Sequence, residues 1–238
     1  MTTVIGNHSP MINDIPDVIL IKIIIIALFG NVPLKSLYIN RIFWKLIKDN
    51  IYILPPNLKK VVHIQIPKPY LYICNKFAKN LLLKSVVISD SVTHIGNGAF
   101  LCCKSLTSII IPNSVTHIGH DAFLCCKSLT SIIIPNSVTY IGNGAFRNCS
   151  SLTSIVNPDY VTHISDYAFS YCSSFTSIII PDSVTHIDKD AFYNCSSLTS
   201  IVLPDSVTHI GEGVFLYCES LTSIIIPDSV THIGERAF

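Results

Sequence analysis

From Ser91 onward the chain repeats itself every 23 residues. Copies begin at Ser91, Ser114, Ser137, Tyr160, Ser183 and Ser206, and a seventh begins at Ser229 and runs ten residues to Phe238. A unit this short cannot bury its own apolar face, so a fixed period of this size predicts a solenoid in which neighbouring copies close each other's core. The first copy, SVTHIGNGAFLCCKSLTSIIIPN, serves as the model. Leu106, Ile109 and Ile111 follow L-x-x-I-x-I, which puts Ile109 and Ile111 on one face of a short strand and Ile110 on the other. Pro112 cannot donate to a ladder and ends the strand, and Asn113-Ser114 favours a turn. Val92 and Ile95 return to the core. Gly96, Asn97 and Gly98 permit a second turn, after which Ala99, Phe100 and Cys103 have the spacing of one short helical turn with an inward face.

The residues that carry this pattern, L-x-x-I-x-I-P, then SVTHIG, then AF with a Cys three residues after the Phe, resemble the BspA-type leucine-rich repeat over Ser91 to Phe238. The resemblance implies an α/β repeat solenoid, a right-handed leucine-rich-repeat horseshoe with a parallel sheet on its concave side. It also implies binding and not catalysis, in an interaction module or a surface-associated, adhesin-type protein. The departures are Asn157 where an inward Ile is expected, Phe175 for Leu, and Tyr160 for Ser.

Net charge near +1 conceals two unlike halves. Residues 1–90 hold 11 Lys/Arg against 4 Asp/Glu, whereas 91–238 hold 5 against 11. Neither half has a dense basic run interleaved with aromatics, which argues against nucleic acid as a partner. A content of 49% hydrophobic and 13% charged residues suits a core-rich array.

Ile15 to Val32 is the most apolar stretch, and three readings compete for it: a buried amphipathic helix, a membrane span and a secretory signal. A span needs about 20 apolar residues, and Lys22 interrupts a shorter run here. A signal needs a positive start and a small-residue cleavage site, whereas Asp14 and Asp17 precede this run. The helix is the favoured reading, and with it an intracellular location; the cell surface is the alternative. Pro33 to Asn50 continues with Leu34, Leu37, Ile42, Phe43, Leu46 and Ile47 at helical spacing. Together, Ile15 to Asp49 is loosely similar to an F-box. Carried over, Ile15, Pro16 and Leu20 would form the surface for a Skp1-type adaptor; the plainer reading is a helical N-terminal cap. The expected organisation is therefore 1–50 as cap or F-box-like segment and 51–238 as solenoid. Within it, 51–90 are degenerate repeats, 91–228 six full copies and 229–238 a partial one. Phe77, Leu83, Val86 and Ile88 sit where Phe100, Leu106, Ile109 and Ile111 recur one period later, and Ile64 and Ile66 before Pro67 suggest a still earlier strand.

Cys103, Cys126, Cys149, Cys172, Cys195 and Cys218 share one repeat position and form a column. Free cysteine behaves as a small buried hydrophobe, and without a CxxC the spacing does not build a zinc site, so packed, reduced thiols are expected. His94, His117, His163, His186, His209 and His232, with Tyr140 in the third copy, form a second column near the surface. Serine, histidine and aspartate recur only because the repeat contains them, so no catalytic, metal or cofactor site is expected. Instead the outward strand positions form the candidate binding face for a protein ligand: Ser108, Ile110, Ser131, Ile133, Ser154, Val156, Ser177, Ile179, Ser200, Val202, Ser223 and Ile225. Exposed apolar stripes of this kind mark interaction surfaces. The strand Leu221 to Ile226 has no following strand, which predicts self-association through that end or fraying of the last coil.

Overall fold

Most copies supply two short strands, and most strands pair in parallel with their equivalent in the next copy. The first series is β1 (His63–Ile66), β3 (Ser85–Ile88), β5 (Ser108–Ile110), β7 (Ser131–Ile133), β9 (Ser154–Val156), β11 (Ser177–Ile179) and β13 (Ser200–Val202). The second is β2 (Tyr72–Ile73), β4 (His94–Ile95), β6 (His117–Ile118), β8 (Tyr140–Ile141), β10 (His163–Ile164), β12 (His186–Ile187), β14 (His209–Ile210) and β15 (His232–Ile233). The register advances one copy at a time, Ser177 opposite Ser200 in one series and His186 opposite His209 in the other. This computed structural model describes residues 63–66, 72–73, 77–156 and 158–238. The chain divides into units Met1–Tyr38 and Ile39–Phe238, and the described residues belong to the second. The cap or F-box-like segment, including Ile15, Pro16 and Leu20, lies outside the described residues, as does Asn157.

The strands form where β-branched residues run together and stop where proline removes a donor. Alternation then sorts the faces: Ile109, Ile132, Ile155, Ile178 and Ile201 are buried, and Ile110, Ile133, Ile179 and Val202 point out. Leu221–Ile226, expected as the strand of the sixth full copy, forms no ladder with β13. Its inward Ile224 and Ile226 are only partly buried against the core, so less apolar area holds this stretch than holds its siblings.

The third face differs from the expected helical turn. Around Ala99, Phe100 and Cys103 the chain makes successive turns, Leu101 N to Gly98 O at 3.1 Å and Cys103 N to Phe100 O at 3.0 Å, without an α-helix. A left-handed residue follows at every copy: Cys102, Cys125, Asn148, Tyr171, Asn194 and Tyr217 have φ between 55° and 61°. That conformation cannot continue a right-handed helix. It turns amides outward along the solenoid, so Phe100 N reaches Ala122 O at 2.7 Å and Cys102 N reaches Leu124 O at 2.7 Å, one copy on.

Eight phenylalanines, Phe77, Phe100, Phe123, Phe146, Phe169, Phe192, Phe215 and Phe238, stack in an unbroken file with ring centroids 5.3–5.8 Å apart, the first seven buried and Phe238 exposed at its end. Each such pair contributes about 0.5–1.5 kcal/mol beyond its area. The six column cysteines are free and buried. Each thiol donates to the carbonyl of a phenylalanine in the preceding copy, as Cys172 Sγ does to Phe146 O at 3.2 Å. Burial pushes the Cys103 and Cys172 thiols up to about 12, which keeps them protonated as these donors.

Candidate functional site

The outward positions of the first strand series form a two-column surface. Ile110, Ile133, Ile179, Val202 and Ile225 are 70–85% exposed, while the inner-face neighbours of the first four are buried. Ser108, Ser131, Ser154, Ser177, Ser200 and Ser223 lie beside them, all exposed. The side chain of Val156 lies outside the description; its backbone pairs with Ile133 in register. These serines contrast with those of the SVTHI segment. Ser114, Ser137, Ser183, Ser206 and Ser229 each donate to a valine carbonyl one copy back at 2.6–2.8 Å. The strand serines make no such side-chain bond among the described residues, so their hydroxyls remain available to a partner.

A rim that the reading of single strands missed borders this surface. Asn113, Asn136, Asp159, Asp182, Asp205 and Asp228 leave the strands three residues after the outward apolar side chain, and all are exposed. The signal was present in the repeat, because the position drifts from Asn to Asp along the array. Asp159 accepts from Asn136 Nδ2 at 2.8 Å. The one ion pair among the described residues is elsewhere, between Lys189 and Glu212.

The second face carries the histidine column. His163, His186 and His209 stack with centroids 4.6 and 4.4 Å apart, and His94 lies 4.5 Å from His117. Each leans on the threonine before it, as in Thr185 Oγ1 to His186 Nδ1 at 2.8 Å. That hydroxyl also reaches the Thr162 carbonyl at 3.2 Å. The carbonyl can only accept, so the hydroxyl donates there and Nδ1–H donates to the hydroxyl. Rings stacked face to face aim their outer nitrogens in parallel, which does not converge on one ion. Among the described residues no cluster of three or more His, Cys, Asp or Glu is arranged to hold a metal. Burial first, then the neighbours His163 and His209, hold the His186 imidazole below its usual 6.5.

Between the third and fourth copies this face opens into a cleft of about 230 Å³ lined by Tyr140, Asn143, His163, Ser165 and Asp188. The cleft lies beside a repeat position that is glycine in most copies. At Gly142 an added Cβ would lie 2.6 Å from the backbone nitrogen of His120, so only glycine lets the coils meet there. Ser165 occupies the equivalent place in the next copy, and its Oγ, in place of its amide, bonds Ile141 O at 2.6 Å. A column comparison of Gly96, Gly119, Gly142, Ser165, Asp188, Gly211 and Gly234 would have found the site. It gathers a hydroxyl, an imidazole and a carboxyl, but no arrangement of nucleophile and base.

A model of the BspA-type leucine-rich repeat region matches residues 45–174 and 116–238, with six copies. No curated protein matches the chain. Among solved structures, a leucine-rich repeat protein from Bacteroides ovatus is 34% identical over 74% of this chain and 46% of its own length, with a TM-score of 0.70. The leucine-rich repeat protein of T. pallidum is 30% identical over 74% of this chain and 86% of its own, with a TM-score of 0.67. One from Eubacterium ventriosum is 29% identical over 65% of this chain and 42% of its own, with a TM-score of 0.61. The stacked L-x-x-I-x-I strands, the phenylalanine file and the cysteine column agree with these matches, and the chain belongs to the BspA-type leucine-rich repeat family.

Proposed function

We propose that the chain is a non-enzymatic recognition module that binds a protein ligand on the outward face of the Ser-Ile strands. The observation that carries this reading is a column of β-branched side chains left 70–85% exposed beside hydroxyls with no internal partner. A monomer gains nothing from such a stripe, whereas a partner that covers it gains both apolar burial and hydrogen bonds. Peptides selected from a displayed library on the full chain should lose at least about tenfold in affinity when Ile133, Ile179 and Val202 are all replaced by Asp. Unchanged affinity in that variant would remove this face from the function.

A second reading, a surface-associated adhesin-type protein, draws on the family itself and on relatives that are bacterial leucine-rich repeat proteins. It uses the same strand face and differs in where the chain works. Labelling of intact cells with a membrane-impermeant reagent separates the two: modification of this protein supports the surface location, and protection until lysis supports an intracellular one.

A further inference from the structure

Resting on the reading of the strand face as a protein-binding surface, we propose that its occupant is a basic amphipathic helix lying along the solenoid axis. The apolar residues of the helix would cover the Ile-Val column of copies 2–6, and its lysines or arginines would meet the aspartate rim.

Two observations on different residues lead to this. The first is spacing. Paired parallel strands lie about 4.8 Å apart, as β7 and β9 or β11 and β13 do, so three such steps cover about 14 Å. Three turns of an α-helix cover about 16 Å, and three same-face steps of an extended strand cover about 20 Å. A helix therefore keeps one apolar residue over each copy for several copies, and an extended segment drifts out of step after one or two. The second is charge. Asp159, Asp182, Asp205 and Asp228 form a single-sign, exposed row parallel to the apolar column, and Asp182, Asp205 and Asp228 have neither an ion pair nor a side-chain hydrogen bond among the described residues. Across the strands, the exposed lysines Lys104 and Lys127 share one repeat position ahead of β5 and β7. In the later copies Ser150, Ser173, Ser196 and Glu219 stand at that position. The face is thus acidic over its C-terminal copies, where a partner's cations gain most, and basic at its start, where they are repelled.

The probe is a synthetic helix of five turns, about 18 residues, with leucines at i, i+3, i+4 and i+7 and lysines flanking them. Its fluorescence anisotropy is titrated with the full chain, beside an otherwise identical peptide carrying glutamates for lysines. At low salt the lysine peptide should bind at least about tenfold tighter, and the preference should shrink as the Debye length falls. Replacing Asp182, Asp205 and Asp228 with Asn should weaken it about fivefold to tenfold without altering the melting curve. Ile179→Asp with Val202→Asp should abolish binding, and Ile179→Thr with Val202→Thr, which keeps the β-branching the strands need, serves if the aspartate pair fails to fold. Equal binding of the two peptides, no binding of either, or indifference to the Asp→Asn changes overturns the proposal. Library peptides that need Ile133, Ile179 and Val202 but are neither basic nor helical would overturn it while leaving the binding face in place. Peptides that ignore those residues would remove both.

Discussion

At the junction of the third and fourth copies, the phenylalanine face is unbroken: Gly144 N bonds Asp166 O at 2.8 Å, Phe146 N bonds Ala168 O at 2.9 Å and Asn148 N bonds Ser170 O at 2.7 Å. On the histidine face of the same junction, β8 and β10 do not pair. The threonine amide that bonds across the next junction, Thr185 N to Thr162 O at 2.9 Å, has no counterpart at Thr162. Tyr160 replaces the serine that would reach Val138 O, and Ser165 replaces the glycine. Both faces are written in the same 23 residues, yet they tolerate substitution differently. The phenylalanine ladder uses backbone groups set by left-handed turns and held by buried Ala, Phe and Cys, which all the complete copies keep apart from Val214. The histidine ladder is interrupted where Tyr160 and Ser165 replace the usual serine and glycine, whereas Asp188 at the glycine position of the next copy keeps its amide bond to Ile164 O at 2.8 Å.

The largest expected effect breaks the stronger face. Phe169 is buried against Phe146, Phe175 and Phe192. Phe169→Ala should cost about 3–5 kcal/mol in urea unfolding. A cost below about 1 kcal/mol would mean that the phenylalanine file is not what holds these copies together.

Repairing the weaker face should work in the other direction. Tyr160→Ser with Ser165→Gly adds the serine bond to Val138 O and exchanges the Ser165 hydroxyl bond to Ile141 O for an amide bond, for a gain of about 1 kcal/mol. Amide exchange at Thr162 and Ser165 should slow to the rate of Thr185 and Asp188. If it does not, the cleft has another cause than these two side chains.

The smallest effect is electrostatic. Because the folded state holds the His186 imidazole below its usual 6.5, the unfolded chain takes up the proton first. Its contribution is complete above that value and declines as pH falls through and below it. Asp188, whose carboxyl burial raises above its usual 3.8, acts oppositely at lower pH, since protonation relieves its cost. The urea midpoint should therefore drop modestly between about pH 7.5 and 5.5, and His186→Asn should flatten the change. An unchanged midpoint in the original chain would show that the stacked imidazoles do not feel one another.

The period and the alternation of Ile109, Ile110 and Ile111 were legible from the chain alone, because a two-residue period and a 23-residue repeat leave one way to bury the Ile109 and Ile111 face, with Ile110 outside. The burial of the cysteine column and the exposure of the strand face followed for the same reason. The turn at Phe100 was less legible. An apolar i, i+1, i+4 spacing suits a helical turn and a series of left-handed turns equally, and positive φ at Cys102 or Tyr171 is not a feature those residue types announce.

The sequence by itself determined which residues are inside, since periodicity is a property of the chain and each copy is held by its neighbours through the same positions. Only the tertiary structure decided what the copies do to one another at each junction. Whether Ser165 keeps or breaks a ladder, and whether the aspartates line up beside the Ile-Val column, depends on distances between residues a full period apart. Those distances are set by the stacking of whole coils and not by any local preference.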